Sequence, residues 1–206
     1  SAHSVAVANP IGFNFDEIKD SPITPILHVD TGYNDNLTRA AKSEASIDSS
    51  FVKVIPGIAY TYKPSASRFS VLYTIDSGHY FSSSDDNYTD HYLVSNNLFS
   101  FNARNNLSLV YSYHSGHEDR GTGLSEGVLS SIKIDGPVRY DIHDVAAGYT
   151  YGSRSATGQL KFGIGYQDKS YNNFRLYSIS NSELGSQFSD YSLNLYSAAF
   201  LYRLRT

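Results

Sequence analysis

The stretch Leu160-Lys161-Phe162-Gly163-Ile164-Gly165-Tyr166-Gln167 decides the fold. In an extended chain Leu160, Phe162, Ile164 and Tyr166 share one face, while Lys161, Gly163, Gly165 and Gln167 share the other. That period of two marks a strand with one apolar side. The pattern recurs at Leu107, Leu109, Tyr111 and Tyr113, at Phe69, Val71, Tyr73 and Ile75, and at Val145, Ala147, Tyr149 and Tyr151. It also appears at Leu27, Val29, Thr31 and Tyr33, at Val52, Val54, Ile58 and Tyr60, and at Leu193 and Leu195. Helical periodicity is almost absent. The reading is about eight strands, at 22–34, 51–62, 68–80, 89–101, 107–117, 140–151, 158–168 and 188–202. Pro56 should interrupt the ladder of its strand, and the irregular segment from Tyr88 to Phe101 predicts a bulge.

Composition narrows the class. A chain of 206 residues suits one domain. Its parts are residues 1–20, which lack alternation and read as a periplasmic N-terminal extension, and the strand region 21–206. There are 18 Tyr and 11 Phe but no Cys, which excludes disulfides, thiolate nucleophiles and Cys-based zinc sites. A net charge of -4 supplies no basic footprint for a nucleic-acid partner. No apolar run is long enough for a membrane helix, but alternating membrane strands average to a modest mean hydropathy such as the −0.34 found here.

The connections alternate in length. Residues 63–67, 102–106 and 152–157 are short, whereas 34–50, 81–88, 118–139 and 169–187 are long and polar. Short turns at one end of a meander and long loops at the other are the topology of outer-membrane barrels, and a Greek-key sandwich would scramble them. Tyr60, Tyr62, Tyr149, Tyr151 and Tyr202 fall at the short-turn ends, and Tyr33, Tyr80, Phe81, Tyr113 and Tyr166 at the long-loop ends. Two aromatic girdles around an aliphatic band match the two interfaces of a bilayer. Arg68, Arg104, Arg154 and Arg203 lie in or beside short turns, where they can meet anionic headgroups. The expected fold is therefore all-β: an antiparallel, up-and-down transmembrane β-barrel in a Gram-negative outer membrane, with its N-terminus periplasmic. Outer-membrane lipid is its first partner. A barrel chain of this kind loses a signal peptide, so the sequence reads as a mature chain.

Candidate sites are few. Asp85, Asp86 and Asp90 crowd oxygen ligands into one loop, a conceivable calcium site without the EF-hand spacing. Solvated loop carboxylates are the preferred reading, and no metal or cofactor is expected. His117, Glu118, Asp119 and Arg120 belong at the rim, as do His143 and Asp144, whose adjacency suggests a pair able to activate water. No serine sits in a nucleophile elbow and Gly121 and Gly123 precede no helix, so no catalytic residues are assigned. His28 and Asp30 should face inward and pair with Lys53 or Lys161. The expected lumen-facing set is Ser70, Thr74, Asp76, Ser108, Ser112, Lys161, Gln167, Ser192, Asn194 and Tyr196, whose hydroxyl, amide and aromatic groups suit sugars.

Particular words add a resemblance. Tyr33-Asn34-Asp35-Asn36-Leu37-Thr38-Arg39, Val54-Ile55-Pro56-Gly57-Ile58, Tyr88-Thr89-Asp90-His91 and His114-Ser115-Gly116-His117-Glu118-Asp119-Arg120-Gly121-Thr122 follow one another in order. Together they resemble elements of the outer-membrane β-barrels associated with exopolysaccharide and capsule operons. The resemblance spans about residues 22–125 and implies a non-enzymatic, porin-like barrel for export or surface retention of a polysaccharide. It also implies a barrel of roughly twice this length.

Two alternatives stand beside that reading: a small enzymatic outer-membrane barrel acting as a hydrolase, and a soluble secreted β-sandwich that binds glycans or serves as an adhesin. Size raises a further expectation. An eight-stranded closed barrel is filled by its own side chains and passes no polymer. The strands should then be part of a wider barrel completed by further strands or other barrel or periplasmic subunits, with an open seam between the strands of Leu27 and Leu195.

Overall fold

The computed structural model describes residues 22–39, 46–125, 136–153, 155–173, 177–179, 182–184 and 191–202. Alternating sequence becomes strand wherever it was legible: β1 (Ile23–Asn34), β2 (Ser49–Tyr62), β3 (Arg68–Tyr80), β4 (Tyr88–Ser100), β5 (Asn105–Glu118), β6 (Val138–Tyr151) and β7 (Gly158–Tyr171). Two short strands follow, β8 (Tyr177–Ile179) and β9 (Ser182–Leu184), and then β10 (Tyr191–Tyr202). β8 and β9 pair only with each other, a hairpin set into a connection that reads as plain loop in the sequence. The other eight form one antiparallel meander in the order β1-β2-β3-β4-β5-β6-β7-β10. The sheet is not closed: β1 and β10 are its two ends and are not paired with each other. The expected seam is present. The extension at 1–20, Arg154 and Arg203 lie outside the described residues.

The expected bulge in β4 is absent. Its ladder runs without a slip from Arg68↔Leu98 to Gly78↔Tyr88 on one side and from His91↔Ser115 to Ser100↔Asn106 on the other. What breaks there is the hydropathy alternation, not the backbone. Ser95 and Asn97 stand where apolar residues would, and they satisfy each other, the Asn97 amide donating to Ser95 Oγ at 2.8 Å. Pro56, which has no N–H to give, does interrupt the β2–β3 ladder, which stops at Val54↔Ser77 and resumes at Gly57↔Thr74.

The register sorts side chains onto two faces. The outer face carries Leu27, Val29 and Tyr33 of β1, Ile58, Tyr60 and Tyr62 of β2, Val145, Tyr149 and Tyr151 of β6, and Leu160, Phe162, Ile164 and Tyr166 of β7, all solvent-exposed. The inner face holds the buried residues Ala59, Thr61, Ser70, Leu72, Thr74, Tyr92, Ser112, Gln159 and Gln167. No second sheet covers that face among the described residues, so the sheet must curl onto it. Ala59, Leu72 and Tyr92, with Ile26 and Val94, form its apolar centre.

Small residues let the inner face contract. A Cβ at Gly78 would lie 2.2 Å from the Tyr88 ring, and one at Gly163 would lie 2.4 Å from Ser197 Oγ. The strands are also staggered. One row of paired residues runs Ile23, Tyr60, Val71, Ser95, Tyr111, Val145, Tyr166, Asn194. It starts at the first residue of β1, at the short-turn end, and finishes near the long-loop end of β10. A steady stagger is also a feature of barrels, although this sheet is open.

Candidate functional site

Beyond the last β4–β5 pair, His91↔Ser115, the end of β5 parts from β4. Pleat alternation alone would aim His117 to the outer face. Its ring instead lies against that of Tyr88, with centroids 3.9 Å apart. His117 Nδ1 meets Asp90 Oδ2 at 2.8 Å, and Nε2 meets Asp119 Oδ1 at 3.1 Å. Only an imidazolium donates from both nitrogens. Burial works against that charge, yet the hydrogen bonds to Asp119 and Asp90 outweigh it and hold His117 up at about 9. The same bond from His117 draws Asp119 below the usual carboxylate range. Tyr88 completes the group by donating its hydroxyl to Asp76 Oδ1 at 3.1 Å.

Three loops close around this cluster. Arg120, after β5, reaches the turn after β3: its Nε donates to Asp86 Oδ1 at 2.7 Å and its Nη2 bonds Asp86 Oδ2 and, at 3.1 Å, Ser83 Oγ. Leu37, after β1, is buried with Tyr80 and Tyr88 against Ile47 and Phe51. Gly121 (φ +78°) sits so near the Thr38 carbonyl that a Cβ would come within 2.2 Å of its oxygen. Behind them Glu118 accepts from Leu124 N–H (2.9 Å), Tyr171 hydroxyl (2.9 Å) and Lys169 Nζ (3.3 Å). Lys169 lies 4.4 Å from the Tyr140 ring centroid and 4.6 Å from that of Tyr171. The result is a packed, charged and aromatic cap at the long-loop end.

Three of the four sequence words meet here. Leu37 and Thr38 come from the first, Tyr88 and Asp90 from the third, and His117 to Gly121 from the fourth. Their spacing along the chain hid the contacts. A tyrosine before an aspartate and a run of His-Glu-Asp-Arg-Gly were visible signals, but nothing in them named Asp86 as the partner of Arg120.

Several expectations are corrected. Asp85, Asp86 and Asp90 are not simply solvated loop carboxylates: Asp86 is buried against Arg120 and Ser83, and Asp90 meets His117. Among the described residues no group of acidic and histidine side chains is placed to hold a metal. His143 and Asp144 are not a pair, because neighbours on a strand face opposite ways. His143 meets Tyr111 hydroxyl at 3.1 Å, and Asp144 Oδ2 accepts from Gln167 at 3.3 Å. His28 bonds Asp30 at 2.9 Å, and Lys53 lies near the rings of Phe51 and Tyr88.

Of the residues expected inward, Ser70, Thr74, Asp76, Ser108, Ser112, Lys161 and Gln167 are on the inner face. Two of them are used by the wall itself, Ser70 accepting from Thr61 Oγ1 at 3.2 Å and Ser108 donating to Gly148 O at 3.1 Å. Ser192, Asn194 and Tyr196 are on the other face. The pairs Gln167↔Leu193 and Gly165↔Leu195 turn the leucines inward, since register and not hydropathy sets the face. Tyr33, Tyr60, Tyr62, Tyr113, Tyr149, Tyr151, Tyr166 and Tyr202 all share the outer face, and Phe81 is exposed. Tyr80 is not a girdle residue: the register places it opposite Phe51 on the inner face, where it is buried with Leu37 and Tyr88. No family model matches the chain, and no curated protein or solved structure matches it either.

Proposed function

We propose that the chain forms wall of an outer-membrane β-barrel, non-enzymatic and porin-like, that serves export or surface retention of an extracellular polysaccharide. The observation that carries the membrane part is the outer face, where Leu27 (70% exposed), Phe162 (52%) and Ile164 (54%) lie between tyrosines at both strand ends. Soluble proteins rarely leave so extended an apolar surface open to water. In hydrocarbon the edges of β1 and β10 must be satisfied, so further strands complete the barrel there. The polysaccharide part rests on the sequence resemblance, and the hydroxyl- and amide-bearing inner face is compatible with it.

The chain has no cysteine, so single-cysteine variants give a clean test. A membrane-impermeant maleimide should label Ser84→Cys, in the exposed β3–β4 turn, in intact cells. It should label Ala103→Cys, in the β4–β5 turn, only after the outer membrane is opened. Equal labelling of the two sinks the membrane orientation. Loss of surface polysaccharide on deletion of the gene, with no loss of outer-membrane integrity, tests the substrate class.

A further inference from the structure

Where His117 turns away from the outer face there is a cleft of about 450 Å³ at the long-loop ends of β3, β4 and β6, lined by Ser77, Gly78, His79, Asn87, Tyr88, Thr89 and Arg139. The register explains the gap. Thr89 and Arg139 flank the outer-face place that alternation would give to the His117 side chain, and that ring is packed on Tyr88 instead. No carboxylate lines the cleft. Arg139, His79, the Asn87 amide and the Thr89 hydroxyl supply hydrogen-bond donors, while the Ser77 hydroxyl is turned to Tyr88 O at 3.5 Å, and this donor set suits an anion. The next row on the same face is Ile75, His91, Ser115 and Asp141, and the row below that holds Tyr73, Leu93 and Tyr113. Asp141 is already engaged by the Tyr113 hydroxyl and the Asn172 amide. On the membrane reading, a donor-rich cleft at the rim of the outer face, with Ile75 beside it and Leu93 between Tyr73 and Tyr113 further down, suits an amphiphile whose headgroup stays at the rim.

We propose that this cleft binds the phosphate of an outer-leaflet glycolipid, with Arg139 as the main contact, His79 as the second, and the acyl chains along Ile75 and Leu93. The assignment rests on the membrane reading above. One basic side chain at an anionic bilayer surface contributes about fivefold in affinity.

The test uses the full chain with three probes: phosphatidylcholine vesicles, the same vesicles doped with lipid A, and inorganic phosphate. The protein should enter both vesicles and prefer those with lipid A. Arg139→Gln should lower that preference about fivefold, Arg139→Lys should keep most of it, and His79→Gln should weaken it less. Unchanged preference in Arg139→Gln overturns the proposal. Competition by inorganic phosphate at equal phosphate concentration overturns it too, because the apolar half would then contribute nothing. A soluble acidic polysaccharide that displaces lipid A from the wild type but not from Arg139→Gln would assign the cleft to glycan instead. Failure to enter plain vesicles sinks the membrane reading and this proposal together, whereas entry without a lipid A preference sinks the proposal alone.

Discussion

Replacing Arg120 by alanine should loosen the cap far more than it disturbs the sheet. The Arg120 and Asp86 side chains are 14% and 7% exposed, and Arg120 supplies Asp86 with hydrogen bonds to both carboxylate oxygens. Removing one partner of a buried pair costs about 3–5 kcal/mol, since the other charge stays buried. Ser83 Oγ still donates to Asp86 at 2.6 Å, which keeps one hydrogen bond and sets the loss near the lower end, about 3 kcal/mol. Local opening is the quantity that changes, so hydrogen exchange is the assay. The amides to follow are Gly121, bonded to Ser125 Oγ, and Leu124, bonded to Glu118 Oε2. Their exchange should quicken by roughly a hundredfold, at a factor of ten for each ~1.4 kcal/mol. Asp86→Ala should do nearly the same, and the double variant should cost clearly less than the two singles added together. A change below about threefold, or strict additivity, would refute the claim that this ion pair holds the loops together.

Cap stability should also depend on pH in a direction that His117 sets. Its folded value near 9 lies above the ordinary 6.5, so its contribution is complete below pH 6.5 and disappears as pH rises through 9. Protection of the cap should fall over that window, and His117→Gln should abolish the dependence. Asp119, depressed by the same bond, adds the opposite limb: its contribution is present above its ordinary carboxylate value and is lost as pH falls through its lowered one. Ile164→Arg should cost about 2–4 kcal/mol and impair insertion into lipid if that face meets hydrocarbon. The same change at an exposed position of a soluble sandwich should stay within about 0.5 kcal/mol, as chemical unfolding would show. Gly163→Val should cost about 1–3 kcal/mol by collision with Ser197 Oγ, and Ser197→Ala should recover part of it.

Sequence alone determined the eight long strands, though not the β8–β9 hairpin, because the pleat puts successive side chains on opposite faces and Leu160 to Gln167 declares that period outright. It also determined which residues within a strand travel together, and it marked the ladder break at Pro56, where the chemistry of one residue suffices. Alternation cannot say which set faces in, since that choice belongs to the pairing register. Leu193 and Leu195 took the inner face once Gly165 and Gln167 lay opposite them, although hydropathy pointed the other way. The same limit separated His143 from Asp144, neighbours in sequence that the pleat sends to different sides. The cap lay further still from local reading. Arg120 finds Asp86 across two connections, and His117 leaves the expected face only where β5 parts from β4. Such contacts depend on how far a curled sheet brings distant loops together, a distance that tertiary structure sets and no local pattern encodes.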